Sequence, residues 1–307
     1  MIVRAPAKVI LFGEHAVVYG QPAIAVPIKT LQAVAEIEPA DTPLTITAHD
    51  LDDAVITFAG DNPLAEMARI TLETLQIAPP QARMTIQSDI PIASGLGSGA
   101  AISTVIGRAI CQLAGKQLPD AQLNALVYEV EKIHHGTPSG IDNTVIVYEQ
   151  AVYFIRDEPI QLFENRKSFT LIIADTGKAA LTKIAVGDVR KLYETEPEHI
   201  QALMGQIGSI AKQAHDTMRA GQIEKLGQLM NENHELLKAL TVSSPELDCL
   251  VKVARANGAL GAKLSGGGRG GNMLALVTEK TSEAVRTALL RAGAVRAFTT
   301  TVEGLEP

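Results

Sequence analysis

Lys8 stands in the middle of an apolar run, "APAKVILF". An unpaired ammonium buried in such a strand is costly, so Lys8 is expected to meet a carboxylate or a phosphate. Asp142 follows Gly140 and Ile141 at the entry to "TVIVY", where a tight turn is expected to hold its carboxylate at the edge of a sheet. Glu131 lies eleven residues earlier, near the end of "DAQLNALVYEVEKIHH". In that segment Leu123, Leu126, Val127, Val130 and His134 recur at helical spacing and form one face. At ~100° per residue Glu131 borders this face and Glu129 points away from it, so Glu131 is the acid that can reach the interior. Two acids beside a bound phosphate make chemical sense if one holds magnesium and the other meets a hydroxyl.

What would hold the phosphate is a loop rich in glycine. The stretch "IASGLGSGAA", Ile92 to Ala101, follows a strand-like run and leads into "AAISTVIGRAICQLAG". It reads as a loop opening a helix, where free N–H groups and the helix dipole favour an anion. Two further glycine-bearing stretches, "HHGTPSGIDN" and "KLSGGGRGGN", each adjoin an expected strand or helix end, and together the three favour a shared phosphate site. None has the GxxxxGK[ST] form, so the usual loop lysine must be replaced by Lys8 or a metal. His134 and His135 are adjacent and so point in different directions on a helix, and no further ligand stands at metal spacing. His134 is read as core, and the role of His135 stays open.

The elements that must position these residues follow from the rest of the pattern. Up to about Ala82, short apolar runs alternate with Gly, Pro and Asp, which is the signature of strands. The polar stretch "RDEPIQLFENRKS" reads as a crossing between domains, with the boundary near Asn165 and hence domains at 1–165 and 166–307. Beyond it come a strand "FTLIIAD", three or four helices from Leu181 to Asn257, strands "GAKLSG" and "NMLALV", a helix "SEAVRTALLRAG" and a strand "AVRAFTTTV". The fold class expected is α+β. The 307 residues suffice for two cores, and 46% apolar with 20% charged residues is a globular composition. A net charge of −7 argues against broad nucleic-acid binding. Cys111 and Cys249 form no CxxC pair and are expected to be buried thiols in a reducing cytosol. Lys8, Glu14 and His15 interrupt the N-terminal apolar run before a signal-peptide core or membrane span forms, so a cytoplasmic protein without a membrane partner is expected.

The segments "PAKVILFGEHAVVYGQPAIA", "IASGLGSGAA", "HGTPSGIDN" and "KLSGGGRGG" span the chain. Through them it resembles the GHMP small-molecule kinases, and within that family the members acting on mevalonate. The resemblance implies a two-domain fold: a ribosomal S5 domain 2-like N-terminal half, a ferredoxin-like C-terminal half, and ATP in the cleft between them. It implies transfer of the γ-phosphoryl group of ATP to the C5 hydroxyl of mevalonate, in isoprenoid precursor biosynthesis, with Mg2+ as cofactor. ATP and mevalonate are then the small-molecule partners, and a homodimer is left open. Carried over by position, Asp142 and Lys8 match the catalytic pair. Ala93, Ser94, Gly95, Leu96, Gly97, Ser98, Gly99 and Ala100 match the ATP loop, and Glu131 with Ser98 the metal ligands. Lys8, Glu14, His15, Asp142 and Thr182 match the acceptor site. Two departures stand out: Gly99 replaces the second serine of the usual GLGSSAA, and Arg269 interrupts the glycine run of the third motif.

Other readings remain. A related kinase acting on phosphomevalonate, on the 3-hydroxyl of mevalonate or on a sugar shares these motifs, and a phosphorylated acceptor would need extra cations such as Arg4 or Arg269. Gly95, Gly97 and Ala100 also satisfy G-x-G-x-x-A, as in a dinucleotide-binding oxidoreductase, but no strand ending in an acid follows ~20 residues on. A sensor that has lost catalysis is disfavoured because Lys8, Glu131 and Asp142 are all present.

Overall fold

A computed structural model describes the chain except residues 50–53, 57–61, 93, 136–137, 181 and 307. It divides into two compact units, each assembled from three segments. The first takes Met1–Lys8, Pro27–Ile92 and Leu96–Glu149, and the second Val9–Val26, Ala93–Gly95 and Gln150–Pro307. A single cut at residue 165 is the division expected from the sequence, whereas these units interleave along the chain.

In the first unit, strand β1 (Ile2–Phe12) contributes its early residues and strand β2 (Ala23–Pro43) its later ones. In β2, Ala33, Ala35 and Ile37 are buried while Glu36 and Glu38 face out, the period of two that a half-buried strand requires. Here β2 pairs antiparallel with β5 (Gln81–Ser88), Ala33 opposite Ser88. β5 pairs in parallel with β3 (Thr45–Ala48), which pairs with β4 (Ala54–Ile56). Four helices pack together: α1 (Pro63–Leu75), α2 (Ser98–Leu113), α3 (Asp120–His135) and α4 (Ile141–Tyr148).

Two of these helices correct the sequence reading. α1 lies inside the stretch expected to be all strand. It was signalled by Asn62, whose side chain accepts the Leu64 N–H at 2.8 Å, by Pro63 at the first helical position, and by Leu64, Met67, Ala68, Thr71, Leu72 and Leu75 at helical spacing. α4 contains the expected strand "TVIVY", so Asp142 sits in the first turn of a helix and not at a sheet edge. Ile141, Val145, Ile146 and Val147 are all buried there, and packing on every side overrides the β preference of the branched residues. The expected core assignment of His134 concerns a side chain outside the described residues.

In the second unit, Ala23–Ala25 of β2 pairs with β6 (Ala151–Phe154), which pairs with β7 (Gln161–Phe163). β7 thus falls inside the stretch read as a polar crossing. An antiparallel sheet runs in the order β11 (Arg296–Val302), β8 (Phe169–Asp175), β10 (Asn272–Val277), β9 (Gly261–Leu264). The helices are α5 (Thr182–Thr195), α6 (Pro197–Ala220), α7 (Ile223–Ala239), α8 (Pro245–Ala256) and α9 (Glu279–Arg291). Their apolar faces join Ile172, Ala174, Met273 and Ala275 of the sheet in one core. Cys111 is buried as expected, but Cys249 is exposed, on the outer side of α8. Among the described residues no helix is long and apolar enough to cross a membrane.

Candidate active site

In the first unit the lysine inside the strand does meet a carboxylate. Lys8 is only 2% exposed, and its Nζ lies 2.9 Å from Asp142 Oδ2. Asp142 is the second residue of α4, so the helix N-terminus adds its positive end to the same carboxylate. The helix start is itself braced: Thr144 Oγ1 donates to Gly140 O at 2.7 Å, and Asn143 Nδ2 donates to Asn124 Oδ1 of α3 at 2.7 Å.

Glu131 comes from α3, which ends a turn later. Its side chain is 3% exposed, while Glu129 points to solvent on a salt bridge to Lys132. Burial, and next the negative charge of Asp142, push the Glu131 carboxyl up to about 7, with Lys8 acting in the opposite sense. The two acids are therefore close enough to repel, and the charge of Lys8 acts on both.

The glycine loop runs past this cluster. Lys8 N donates to Leu96 O at 3.0 Å, tying the loop to β1. Gly97 has φ +80° and precedes α2; a Cβ there would stand 2.7 Å from Ile146 Cδ1 and 3.1 Å from Lys8 Cγ, so only glycine lets the backbone lie across the lysine stem. Gly95 faces open space. Ser98 opens α2, whose first N–H groups have no acceptor within the helix. Gly99 lies in the first turn without a positive φ, and a Cβ on it would come 2.9 Å from Glu131 Oε1. Glu131 and Ser98 offer oxygen donors only, the set taken by a hard divalent cation, and a cation would relieve the repulsion between Glu131 and Asp142. Ala93 lies outside the described residues.

The second unit holds the other residues carried over from the resemblance. Glu14 is fully buried and ion-paired with Lys263, whose Nζ also donates to Leu264 O at 2.6 Å. Burial presses the Lys263 ammonium toward its neutral form, and Glu14 opposes this. Lys263 escaped the sequence reading, although it stands in the apolar strand "GAKLSG" much as Lys8 stands in "APAKVILF"; the argument used for one applied to both. His15, at φ +62°, bonds through Nε2 to Gly267 O at 3.0 Å. Burial lowers its pKa to about 4, so at neutral pH the ring is neutral, and with a carbonyl partner Nε2 carries the proton. Thr182 is exposed at the start of α5.

In the third glycine stretch the glycines allow close packing of the loop. A Cβ on Gly267 would strike Thr182 Oγ1 at 2.6 Å, on Gly268 Val242 O at 1.9 Å, and on Gly270 Lys178 O at 2.8 Å. These glycines let the loop pack against its own neighbours; only Gly266 faces open space. The first and third stretches do meet, through Asn272 Nδ2 donating to Ser94 O at 2.7 Å.

Family comparison decides what this arrangement belongs to. Residues 62–150 match the GHMP kinases N terminal domain, and residues 214–295 the GHMP kinases C terminal domain. The mevalonate kinase of Thermococcus gammatolerans is 35% identical over 95% of this chain and 93% of its own length. The chain belongs to the GHMP kinase family. In structure, this GHMP kinase is similar to L. major mevalonate kinase in complex with R-mevalonate, with a TM-score of 0.87, 29% identity, and coverage of 100% of this chain and 97% of the other. It is equally similar to the Methanococcus jannaschii mevalonate kinase, with a TM-score of 0.87, 29% identity, and coverage of 99% and 98%. The two-domain α+β fold expected from the sequence is the fold observed. As a member of this family the protein is an ATP-dependent kinase.

Proposed function

We propose that this kinase transfers the γ-phosphoryl group of ATP to the C5 hydroxyl of mevalonate, giving 5-phosphomevalonate and ADP. The observation that carries the reading is the pairing of buried Lys8 with the half-buried Asp142 at 2.9 Å, set beside a glycine loop that opens a helix. The acceptor rests on the likeness to mevalonate kinases along nearly the whole chain.

Phosphoryl transfer asks the protein mainly for positioning and for stabilisation of charge. In this reading the N–H groups from Gly95 to Ala100 bind the ATP phosphates. Glu131 and Ser98 would hold Mg2+, which when bound neutralises phosphate charge. Lys8 offsets charge on the acceptor oxygen and fixes the Asp142 carboxylate. Asp142 orients the hydroxyl and takes its proton as the new O–P bond forms and the bond from γ-phosphorus to the β-bridging oxygen breaks. Glu14, His15 and Thr182 belong to acceptor binding, Glu14 through its hold on Lys263 and His15 as a neutral ring.

A phosphorylated acceptor is the nearest competing substrate. Against it stands Arg269, a cation such an acceptor would need, which is already bonded to Asp188 at 2.5 Å and to Thr241 O at 3.3 Å. ADP formation measured across mevalonate, its phosphates, homoserine and sugars tests the assignment. Mevalonate alone should support turnover; turnover with galactose or phosphomevalonate but not mevalonate would overturn it.

A further inference from the structure

Arg269 is the one side chain of length in a run otherwise made of glycine, and it adopts φ +57°, a left-handed backbone that disfavours any L side chain. Three bonds hold it there. Its N–H donates to Val242 O at 2.8 Å, its Nε to Thr241 O at 3.3 Å, and its Nη1 to Asp188 Oδ2 at 2.5 Å. The last bond reaches α5, and the guanidinium holds the Asp188 carboxyl below the usual carboxylate range. Six residues before Asp188, α5 begins at Thr182, whose Oγ1 occupies the space a Cβ on Gly267 would fill.

So α5 touches the third glycine stretch twice, at Thr182 over Gly267 and at Asp188 on Arg269. At 1.5 Å per residue these points lie roughly 9 Å apart along the helix. One contact would fix a distance; two fix the direction of the helix axis as well. The helix needs such a fixing. Among its described side chains only Ala185 and Val189 are fully buried, while Leu192 is half-buried and Tyr193 packs its ring on Tyr19, so the apolar hold falls on the middle and later turns and leaves the first turn to these two contacts.

We propose that Arg269 and Asp188 form a latch that aims the first turn of α5, with Thr182, at the acceptor, and that both act as positioning residues for acceptor affinity. This rests on the reading of Thr182 as an acceptor contact. The latch is a half-exposed ion pair, with side chains 27% and 34% accessible, so salt weakens it.

Asp188→Asn is the leading test because it leaves the loop sequence intact, with Arg269→Gly as the second variant because glycine fits the backbone angle. For each, KM for mevalonate should rise about 3- to 5-fold, the range open to a partly exposed ion pair, while KM for ATP and the melting temperature stay close to wild type. The double variant should be no worse than either single one, since both remove the same bond. Added NaCl should raise the wild-type KM for mevalonate and leave that of the variants level. Hydrogen exchange gives a readout that needs no acceptor: amides of residues 182–186 and 267–271 should exchange faster in Asp188→Asn. If wild type turns mevalonate over and Asp188→Asn keeps its KM, the latch is overturned while the assigned activity stands. If wild type does not turn mevalonate over, the assigned activity falls, and unchanged exchange in Asp188→Asn would overturn the latch as well.

Discussion

Asp142 and Lys8 divide a single task at the residue scale. In the proposed reaction the carboxylate meets the acceptor hydroxyl, and the buried ammonium 2.9 Å away holds that carboxylate in position. Replacing Asp142 by Asn removes the proton acceptor but keeps the shape, and replacing Lys8 by Met keeps the stem that Gly97 packs on while removing the charge. Each substitution should lower kcat by at least ~10²-fold, the lower range for a positioned acid–base group, with ATP binding largely retained. Steady-state kinetics beside ATP titration checks this; near-normal kcat in either variant removes that residue from the mechanism. That Lys8 needs an anionic partner was legible in the sequence because an ammonium in an apolar strand is costly to leave unpaired, whereas Asp142 as that partner came from the family resemblance. Lys263 was equally legible and went unread. Asp188 was not legible, because an acid on a polar helix face gives no sign of which loop will return to it.

Helices α2 and α3 show how elements set the spacing of the charged groups. α2 carries glycine where its neighbours come closest: a Cβ on Gly107 would meet Leu123 Cδ1 at 2.7 Å and Met67 Cε at 2.8 Å, and one on Gly99 would meet Glu131 Oε1 at 2.9 Å. The missing loop serine therefore has a physical cause: the Glu131 carboxylate stands in the space its side chain would need. Gly99→Ser should still fold, because the backbone angle there is an ordinary one and the blocking atom ends a flexible side chain, but it should lose about 1 kcal/mol of stability and raise the magnesium requirement by displacing Glu131. Ser98→Ala should raise the magnesium requirement and lower kcat. Ser98 does not cap α2, since Gly97 holds the cap position, so this loss reports on the hydroxyl as a ligand. Magnesium titrations of wild type and both variants decide it; an unchanged magnesium dependence and kcat in Ser98→Ala would show that the loop holds phosphate with its backbone alone. The sequence showed α2, α3, and the helices and sheet of the second unit from periodicity and punctuation. It misled at α4, where β-branched residues are buried on all sides of a helix and periodicity carries no information.

For the whole molecule, folding and ionisation are linked through buried groups that must stay neutral. His15 and His234 are both held at about 4 by burial, well below the ordinary histidine value of 6.5. His234 Nδ1 accepts the Leu264 N–H at 3.3 Å and its Nε2 lies 3.2 Å from Asp248 Oδ1, so the neutral ring bridges α7, β9 and α8. The unfolded chain binds protons at these sites that the folded chain refuses. Their contribution is thus fully present above about 6.5 and is lost as the pH falls toward 4, with each group accounting for up to about 3 kcal/mol across that window. Urea midpoints measured from pH 7 to 4 should fall, and His234→Asn, although less stable at pH 7, should fall less steeply; equal slopes would show that His234 does not govern acid lability.

The proposed reaction stands on phosphorylation of the C5 oxygen. Phosphorus NMR of the product formed from ATP, Mg2+ and R-mevalonate tests it, with the Asp142→Asn enzyme run alongside. One new phosphomonoester signal, coupled to the C5 methylene protons, should accumulate in step with ADP and be suppressed in Asp142→Asn. A signal without coupling to those protons, as a 3-phosphate would give, or a product formed as fast by Asp142→Asn as by wild type, would contradict that reaction.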